Sequence, residues 1–174
     1  MMEGRVENVE VLRPDTRAAL VLFLLVVCVP ALVVVLANVY AKGGVGYRVP
    51  AAIVGVLVVT FAVLLVFMQR ADFGVADGVL TVRSSFYQVK VPLADVEGEP
   101  TIVDLTQHPE RGPKIRTNGF SLPGYHSGWY VGADKRRIFA AIAGPRVLSI
   151  RVKSGYDILV SVKDPERVGS LRGK

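Results

Sequence analysis

Two long uncharged runs near the start of the chain constrain its fold more than any other feature. Residues 18–40 and residues 49–68 contain no Asp, Glu, Lys, Arg or His, and only residues 41–48 separate them. A helix of roughly 20 apolar residues spans the hydrocarbon core of a bilayer. The sequence therefore predicts a transmembrane helical hairpin, with residues 1–17 as an N-terminal tail and residues 69–174 as a domain at the membrane surface.

Two other interpretations of these runs are open to the sequence. Buried helices of a soluble protein would carry a polar stripe, which residues 21–35 lack. A cleaved signal peptide would have a shorter apolar core than the first run, and seventeen residues of mixed charge precede that run. The membrane hairpin fits better than either, and Pro30 predicts a kink or a locally loosened turn within the first helix.

Basic residues near the spans predict the orientation of the hairpin. Cytoplasmic flanks are enriched in Lys and Arg. Three basic residues precede the first span, two lie in the loop and three follow the second span: Arg5, Arg13 and Arg17; Lys42 and Arg48; Arg70, Arg83 and Lys90. This distribution favours a two-pass cell-membrane protein with both termini and the surface domain in the cytoplasm.

Residues 69–174 show the pattern of a single β domain. Short alternating segments are separated by glycine and proline turns, which is typical of antiparallel strands. The predicted strands are residues 79–84, 86–91, 101–105, 128–131, 137–142, 146–152 and 156–162, and residues 108–113 are a predicted loop. Asp164 is a good N-cap for a short final helix. The predicted class is an α+β membrane protein, with a transmembrane hairpin and a small β-barrel or sandwich of about seven strands.

Four segments of the domain carry a family resemblance. They are FGVADGVLTVR from Phe73, YQVKVPLADV from Tyr87, IRTNGFSLPGYHSGWY from Ile115, and VKDPE from Val162. Together with the preceding hairpin, they resemble small prokaryotic membrane proteins that carry a bacterial pleckstrin-homology (PH)-like domain. The resemblance implies a seven-stranded, two-sheet barrel with a C-terminal helix. It implies no agreed enzymatic activity.

Recognition of inositol lipids does not follow from this resemblance. Pleckstrin domains that bind phosphoinositides use paired basic residues around the first hairpin turn. The corresponding turn here holds Arg83, Ser84, Ser85 and Lys90, without an adjacent basic pair.

Residues 116–129 form the most distinctive stretch outside the membrane runs. Aromatic residues and Arg are common anchors at protein interfaces, so Arg116, Tyr125, His126 and Trp129 are candidate partner-binding residues. The alternative is structural, with the glycines supplying turns and the aromatic rings dividing between core and surface. Both interpretations are compatible with the sequence.

Other charged groups suggest weaker candidates. Lys135, Arg136 and Arg137 are candidate lipid-facing residues, since clustered basic side chains attract anionic headgroups; the alternative is a solvated turn. The residues 95–99 carry three acidic groups that lack a partnering histidine and fit a solvated edge. The chain's single cysteine, Cys28, excludes a disulfide framework. We therefore expect no cofactor, no metal site, no catalytic residues and no nucleic-acid partner.

These patterns lead to one functional hypothesis and two alternatives. The first is a non-enzymatic membrane-anchored interaction module, an accessory subunit or scaffold of a larger membrane assembly with another membrane protein as its partner. The second is a sensor of anionic lipid surfaces. The third is a membrane enzyme whose site has no recognisable sequence signature.

Overall fold

The computed structural model describes residues 10–40 and 48–163. Its two helices, Thr16–Tyr40 and Arg48–Met68, are each long and apolar enough to cross a membrane. The helical runs predicted at residues 18–40 and 49–68 are confirmed, with slightly earlier starts. Arg48, predicted to lie in the loop, belongs to the second helix, and residues 41–47 are outside the described part of the chain.

The first helix has a defined start and an internal irregularity. The Asp15 carboxylate accepts a hydrogen bond from the backbone N–H of Ala18 at 2.9 Å, which caps the helix. The helix widens to a π-type turn over Leu24–Cys28, which ends two residues before Pro30. Proline lacks a backbone N–H and crowds the preceding turn. The predicted local loosening near Pro30 is therefore confirmed as a π turn.

Within the described residues, nine strands follow in two sheets. Their bounds are β1 Ala71–Ala76, β2 Val79–Ser84, β3 Tyr87–Pro92, β4 Val96–Asp104, β5 Ile115–Leu122, β6 Tyr125–Val131, β7 Arg137–Ile142, β8 Arg146–Val152 and β9 Tyr156–Val160. One sheet has the order β1-β2-β3, and the other has the order β4-β8-β9-β7-β6-β5. All neighbours are antiparallel except β7 and β9, which are parallel.

The strand count of about seven was too low, because β1 and β5 were not recognised. Asp72 and Gly74 interrupt the apolar pattern of β1, and β5 contains Asn118 and Gly119. The connection between the second helix and the domain is short, since β1 already begins at Ala71. The predicted final helix from Asp164 lies outside the described residues.

The main core lies between the two sheets. Alternate residues of β7, β8 and β9, such as Phe139, Ile150 and Ile158, meet Phe73 and Leu80 of the smaller sheet. All five are almost fully buried. This period-2 alternation places one face of each sheet inside.

The opposite, outer face of the six-stranded sheet is also partly covered. Because β4 and β5 lie at opposite edges, residues 105–114 must connect one edge to the other. Leu105 packs there against a second buried cluster that includes Ile138, Leu159 and Tyr130. The connection contains a short 3-10 turn, Pro109–Arg111, in the segment predicted as a loop.

The helices contact the domain directly at one end. Ala18 of the first helix and Met68 of the second form a buried cluster with Leu122 and Tyr125 of the β5–β6 hairpin. We call this group the membrane-end cluster. It places the β5–β6 turn beside the ends of both apolar helices.

The segment before the first helix pairs with the end of the domain. Val11 forms an antiparallel bridge with Val162. The backbone N–H of Leu12 donates to the Ser161 carbonyl at 2.9 Å. The backbone N–H of Lys163 donates to the Glu10 backbone carbonyl at 2.9 Å. The chain on both sides of the helical pair therefore lies at the same end of that pair.

Candidate functional site

The stretch that carries the candidate partner-binding residues, residues 116–129, lies in a β-hairpin. Strands β5 and β6 pair antiparallel from Ile115↔Val131 to Leu122↔Tyr125, with a register shift between Arg116 and Asn118. The turn uses Gly124, whose φ is +73°. The dense glycine and proline content of this segment suggested a loop, but those residues form the turn and a close approach between two strands.

Close backbone approach explains Gly128. Its φ is +110°, and a Cβ built there would lie 2.5 Å from the Asn118 carbonyl oxygen and 2.6 Å from the Gly119 Cα. A side chain at this position would overlap the neighbouring strand. Gly128 therefore allows β5 to lie tightly against β6.

Arg116 and Ile115 lie on the outermost strand of the larger sheet. β5 is an edge strand, and its residues from Ile115 to Asn118 are exposed. The Ile115 side chain is 64% exposed. Sequence analysis singled out Arg116 but missed Ile115, although the adjacent apolar and basic residues were a usable signal.

His126 and Tyr130 point to the outer face, where they join a small polar group. The Tyr130 hydroxyl donates to the Phe120 carbonyl at 2.6 Å and lies 2.9 Å from Ser121 Oγ. Ser121 Oγ lies 3.1 Å from His126 Nδ1. Burial lowers the pKa of the His126 imidazole and raises the pKa of the Tyr130 phenol, so both groups favour their neutral forms.

Tyr125 and Trp129 face the smaller sheet instead. Tyr125 is 1% exposed, so its side chain is not presented to a partner. The Trp129 ring makes edge-to-face contacts with Phe139 and Tyr156 at centroid distances of 5.2 and 5.3 Å. The structure thus brings Arg116 and His126 to the outer side of the hairpin and places the other two predicted residues on the inner side.

The basic triplet is divided among three different surroundings. The Arg136 guanidinium donates to Asp157 at 3.1 Å, and the Arg137 guanidinium lies 4.6 Å above the Trp129 ring. Lys135 is exposed in the β6–β7 turn with a φ of +64°. A strand rises about 3.3 Å per residue, so β6 carries this turn roughly 20 Å beyond Tyr125 and the membrane-end cluster. That distance does not favour a lipid-facing role for the triplet.

A charged groove of about 490 Å³ lies on the outer face at the same far end. Its lining includes Glu97, Glu99, Glu110, Arg111, Arg151 and Asp157. The Arg151 Nε lies 3.7 Å from the Asp157 carboxylate, so opposite charges are partly paired within the groove. Among the residues 10–40 and 48–163, no group of three or more His, Cys, Asp or Glu is arranged to hold a metal ion.

A second set of contacts fastens the smaller sheet to the hairpin. Ser85 Oγ lies 2.7 Å from the Tyr125 hydroxyl, and Ser127 Oγ donates to the Ser84 carbonyl at 3.0 Å. All four residues are buried. Sequence analysis missed these serines because their partners lie some forty positions away along the chain.

Comparison of the chain with protein-family models, curated proteins and solved structures finds no match.

Proposed function

We propose that the protein is a membrane-anchored interaction module without a catalytic role, and that it binds a protein partner along the free edge of β5. It would serve as an accessory subunit of a larger membrane assembly. The observation that carries this proposal is the exposure of Ile115 on an edge strand, directly beside the exposed Arg116.

An edge strand offers backbone N–H and C=O groups to another extended chain. Such pairing supplies affinity through main-chain hydrogen bonds, while adjacent side chains supply specificity. Ile115 offers apolar area and Arg116 offers a charged anchor, a combination suited to a partner strand with an apolar residue and a carboxylate. The inferred occupant is therefore an extended segment of another protein.

The two edges of the large sheet differ in a way that supports this choice. β4, at the other edge, contains Pro100 together with Glu97 and Glu99. Proline and charged residues are common means of blocking unwanted strand pairing. β5 contains no proline within Ile115–Leu122, and Arg116 is its single charged residue.

The short link to the helices supports a partner that is itself at the membrane. Only Gln69 and Arg70 separate the second helix from β1. The membrane-end cluster holds the β5–β6 hairpin against both helices, so β5 is presented at a fixed height above the bilayer. A second membrane protein would meet this edge at a constant distance from the membrane.

We also propose that the domain is PH-like. This assignment is supported by the sequence segments described above and by the presence of two packed sheets built from short strands. The nine strands exceed the seven that the resemblance implies.

Substitutions on the two edges test the proposed interface. Ile115→Lys and Arg116→Ala should reduce recovery of a stoichiometric partner when the intact protein is isolated in mild detergent. Truncation of an interface anchor costs about 2 kcal/mol or more, equivalent to roughly 30-fold in Kd. Ile102→Lys is the matched control, because Ile102 is also an exposed isoleucine, 42% accessible, but lies on β4.

The proposal requires partner loss in both β5 variants, retention in the β4 variant, and similar melting temperatures for all three. If the β5 variants keep the partner, the interface is elsewhere. If the β4 variant alone loses it, the wrong edge has been assigned.

A further inference from the structure

A large aromatic side chain is exposed where the domain meets the second helix. Phe86 lies in the β2–β3 turn and is 53% exposed. Its ring stacks on that of Phe67, with the centroids 4.4 Å apart and the planes inclined by 25°. Phe67 immediately precedes Met68, the last residue of the second helix. This stacking places Phe86 level with the final turn of an apolar helix.

The turn that carries Phe86 is held firmly on both sides. The backbone N–H of Ser85 donates to the Arg70 carbonyl at 2.7 Å, which ties the turn to the end of the second helix. Ser85 Oγ also bonds to the Tyr125 hydroxyl, which ties it to β6. Ser85 has a φ of +52°, in the left-handed region that non-glycine residues seldom occupy. These contacts keep the polar serine inside and direct the aromatic ring outwards.

One basic group lies against the aromatic pair, and another lies near the start of the first helix. The Arg70 guanidinium lies 4.5 Å above the Phe67 ring. Arg17, near the start of the first helix, is exposed at the same end of the helical pair. Aromatic rings are enriched at the boundary between acyl chains and headgroups, and basic side chains extend from there towards the phosphates.

We propose that the β2–β3 turn is a second membrane contact, in which the Phe86 ring enters the interfacial region of the bilayer while Arg70 lies at the level of the phosphate groups. The proposal rests on the membrane anchoring of the two helices. The contact would add an interfacial anchor beside the point where the second helix joins the domain.

Nitroxide labels on the full-length protein in lipid vesicles test this contact. In a Cys28→Ser background, a single label is placed at Phe86→Cys, at Val58→Cys within the second helix, or at Ser154→Cys in the β8–β9 turn at the far end. Relative collision rates with oxygen and with a water-soluble nickel complex measure the depth of each label. We expect oxygen to dominate at residues 86 and 58, and the nickel complex to dominate at residue 154.

The outcomes distinguish the proposed contact of the turn from the membrane anchoring of the helices. An aqueous label at residue 86 beside a lipid-exposed label at residue 58 overturns the turn contact and leaves the helical anchor intact. Aqueous labels at both positions overturn the turn contact together with the anchor.

Phe86→Trp supplies a second readout that retains an aromatic ring. Vesicles containing lipids brominated on the acyl chains should quench the added tryptophan. The unmodified protein, whose single tryptophan is Trp129, gives the reference. Equal quenching of the two proteins would contradict insertion of the turn.

Discussion

The Tyr125 hydroxyl and Ser85 Oγ lie 2.7 Å apart, and this buried hydrogen bond joins the six-stranded sheet to the β2–β3 turn of the smaller sheet. Tyr125 also belongs to the membrane-end cluster with Ala18 and Met68. Tyr125 thus bonds to the smaller sheet's turn and shares a buried cluster with residues of both helices. Its role is to fix the base of the domain rather than to meet a partner.

We expect Tyr125→Phe to destabilise the protein through its lost hydrogen bond. An unsatisfied buried hydroxyl costs about 1–3 kcal/mol, and Ser85 would be left with one. Combining Tyr125→Phe with Ser85→Ala should cost less than the sum of the two single changes, because both remove the same bond. Thermal unfolding in detergent compares the unmodified protein, the two single variants and the double variant.

Tyr87→Phe is the control for this cycle. The Tyr87 hydroxyl donates to the exposed Asn118 side chain at 3.3 Å. Loss of an exposed contact should change the unfolding free energy by less than about 0.5 kcal/mol. Strictly additive effects of Tyr125→Phe and Ser85→Ala would contradict the assigned coupling.

Alanine substitutions at two glycines of the β5–β6 hairpin should have unequal effects. At Gly124 the only penalty is the left-handed backbone, about 1–2 kcal/mol, since a Cβ there meets nothing within 4 Å. At Gly128 the Cβ would also overlap backbone atoms of Asn118 and Gly119. Gly128→Ala should therefore lower the melting temperature further than Gly124→Ala. Equal losses would show that β5 can move away from β6.

The protein should lose stability in mild acid through His126. Burial lowers the pKa of its imidazole below the ordinary 6.5, so the unfolded chain binds the proton more readily. The resulting contribution to stability is present above pH 6.5 and is lost as the pH falls through the depressed folded-state pKa. His126→Gln should flatten the fall in melting temperature between neutral and mildly acidic pH.

His108→Gln is the matched control for that pH dependence. His108 is exposed, and its Nδ1 lies 3.3 Å from the Glu110 carboxylate. This variant should keep the steeper acid-side decline of the unmodified protein. If His108→Gln flattens the acid-side fall in melting temperature and His126→Gln does not, the assignment of this fall to His126 is wrong.

Thiol labelling should place the loop and the domain on opposite sides of the membrane. In a Cys28→Ser background, an impermeant maleimide applied to intact cells should modify Gly44→Cys and leave Ser154→Cys protected. Gly44 belongs to residues 41–47, outside the described part of the chain, whereas Ser154 lies in the far turn of the domain. The reverse labelling pattern would invert the orientation that the basic flanks predict.

Strands with apolar residues bounded by turn signals were predictable from the sequence, and those that lack such a pattern were not. Val79–Ser84, Arg137–Ile142 and Arg146–Val152 have the predicted bounds because their apolar residues face a core and turn signals flank them. Ile115–Leu122 was missed since its register shift and Gly119 interrupt any period of two. Such a strand is specified by pairing with β6, which a local pattern does not contain.

The candidate site was predictable only in part for the same reason. The exposure of Arg116 followed from its charge and its distance from the apolar runs. The burial of Tyr125 did not, because its partner Ser85 comes from a distant turn. Sequence spacing also could not show that Lys135 lies in a turn, that Arg136 pairs with Asp157, or that Arg137 lies over an aromatic ring.

The pairing of Val11 with Val162 has a consequence for the order in which the molecule is completed. Val11 precedes both helices, so it must wait for nearly the last described residue before it finds its partner. Closing so long a loop is entropically unfavourable until the intervening elements have formed and shortened the distance. We therefore expect this bridge to form late in folding, after both helices and the sheets are in place.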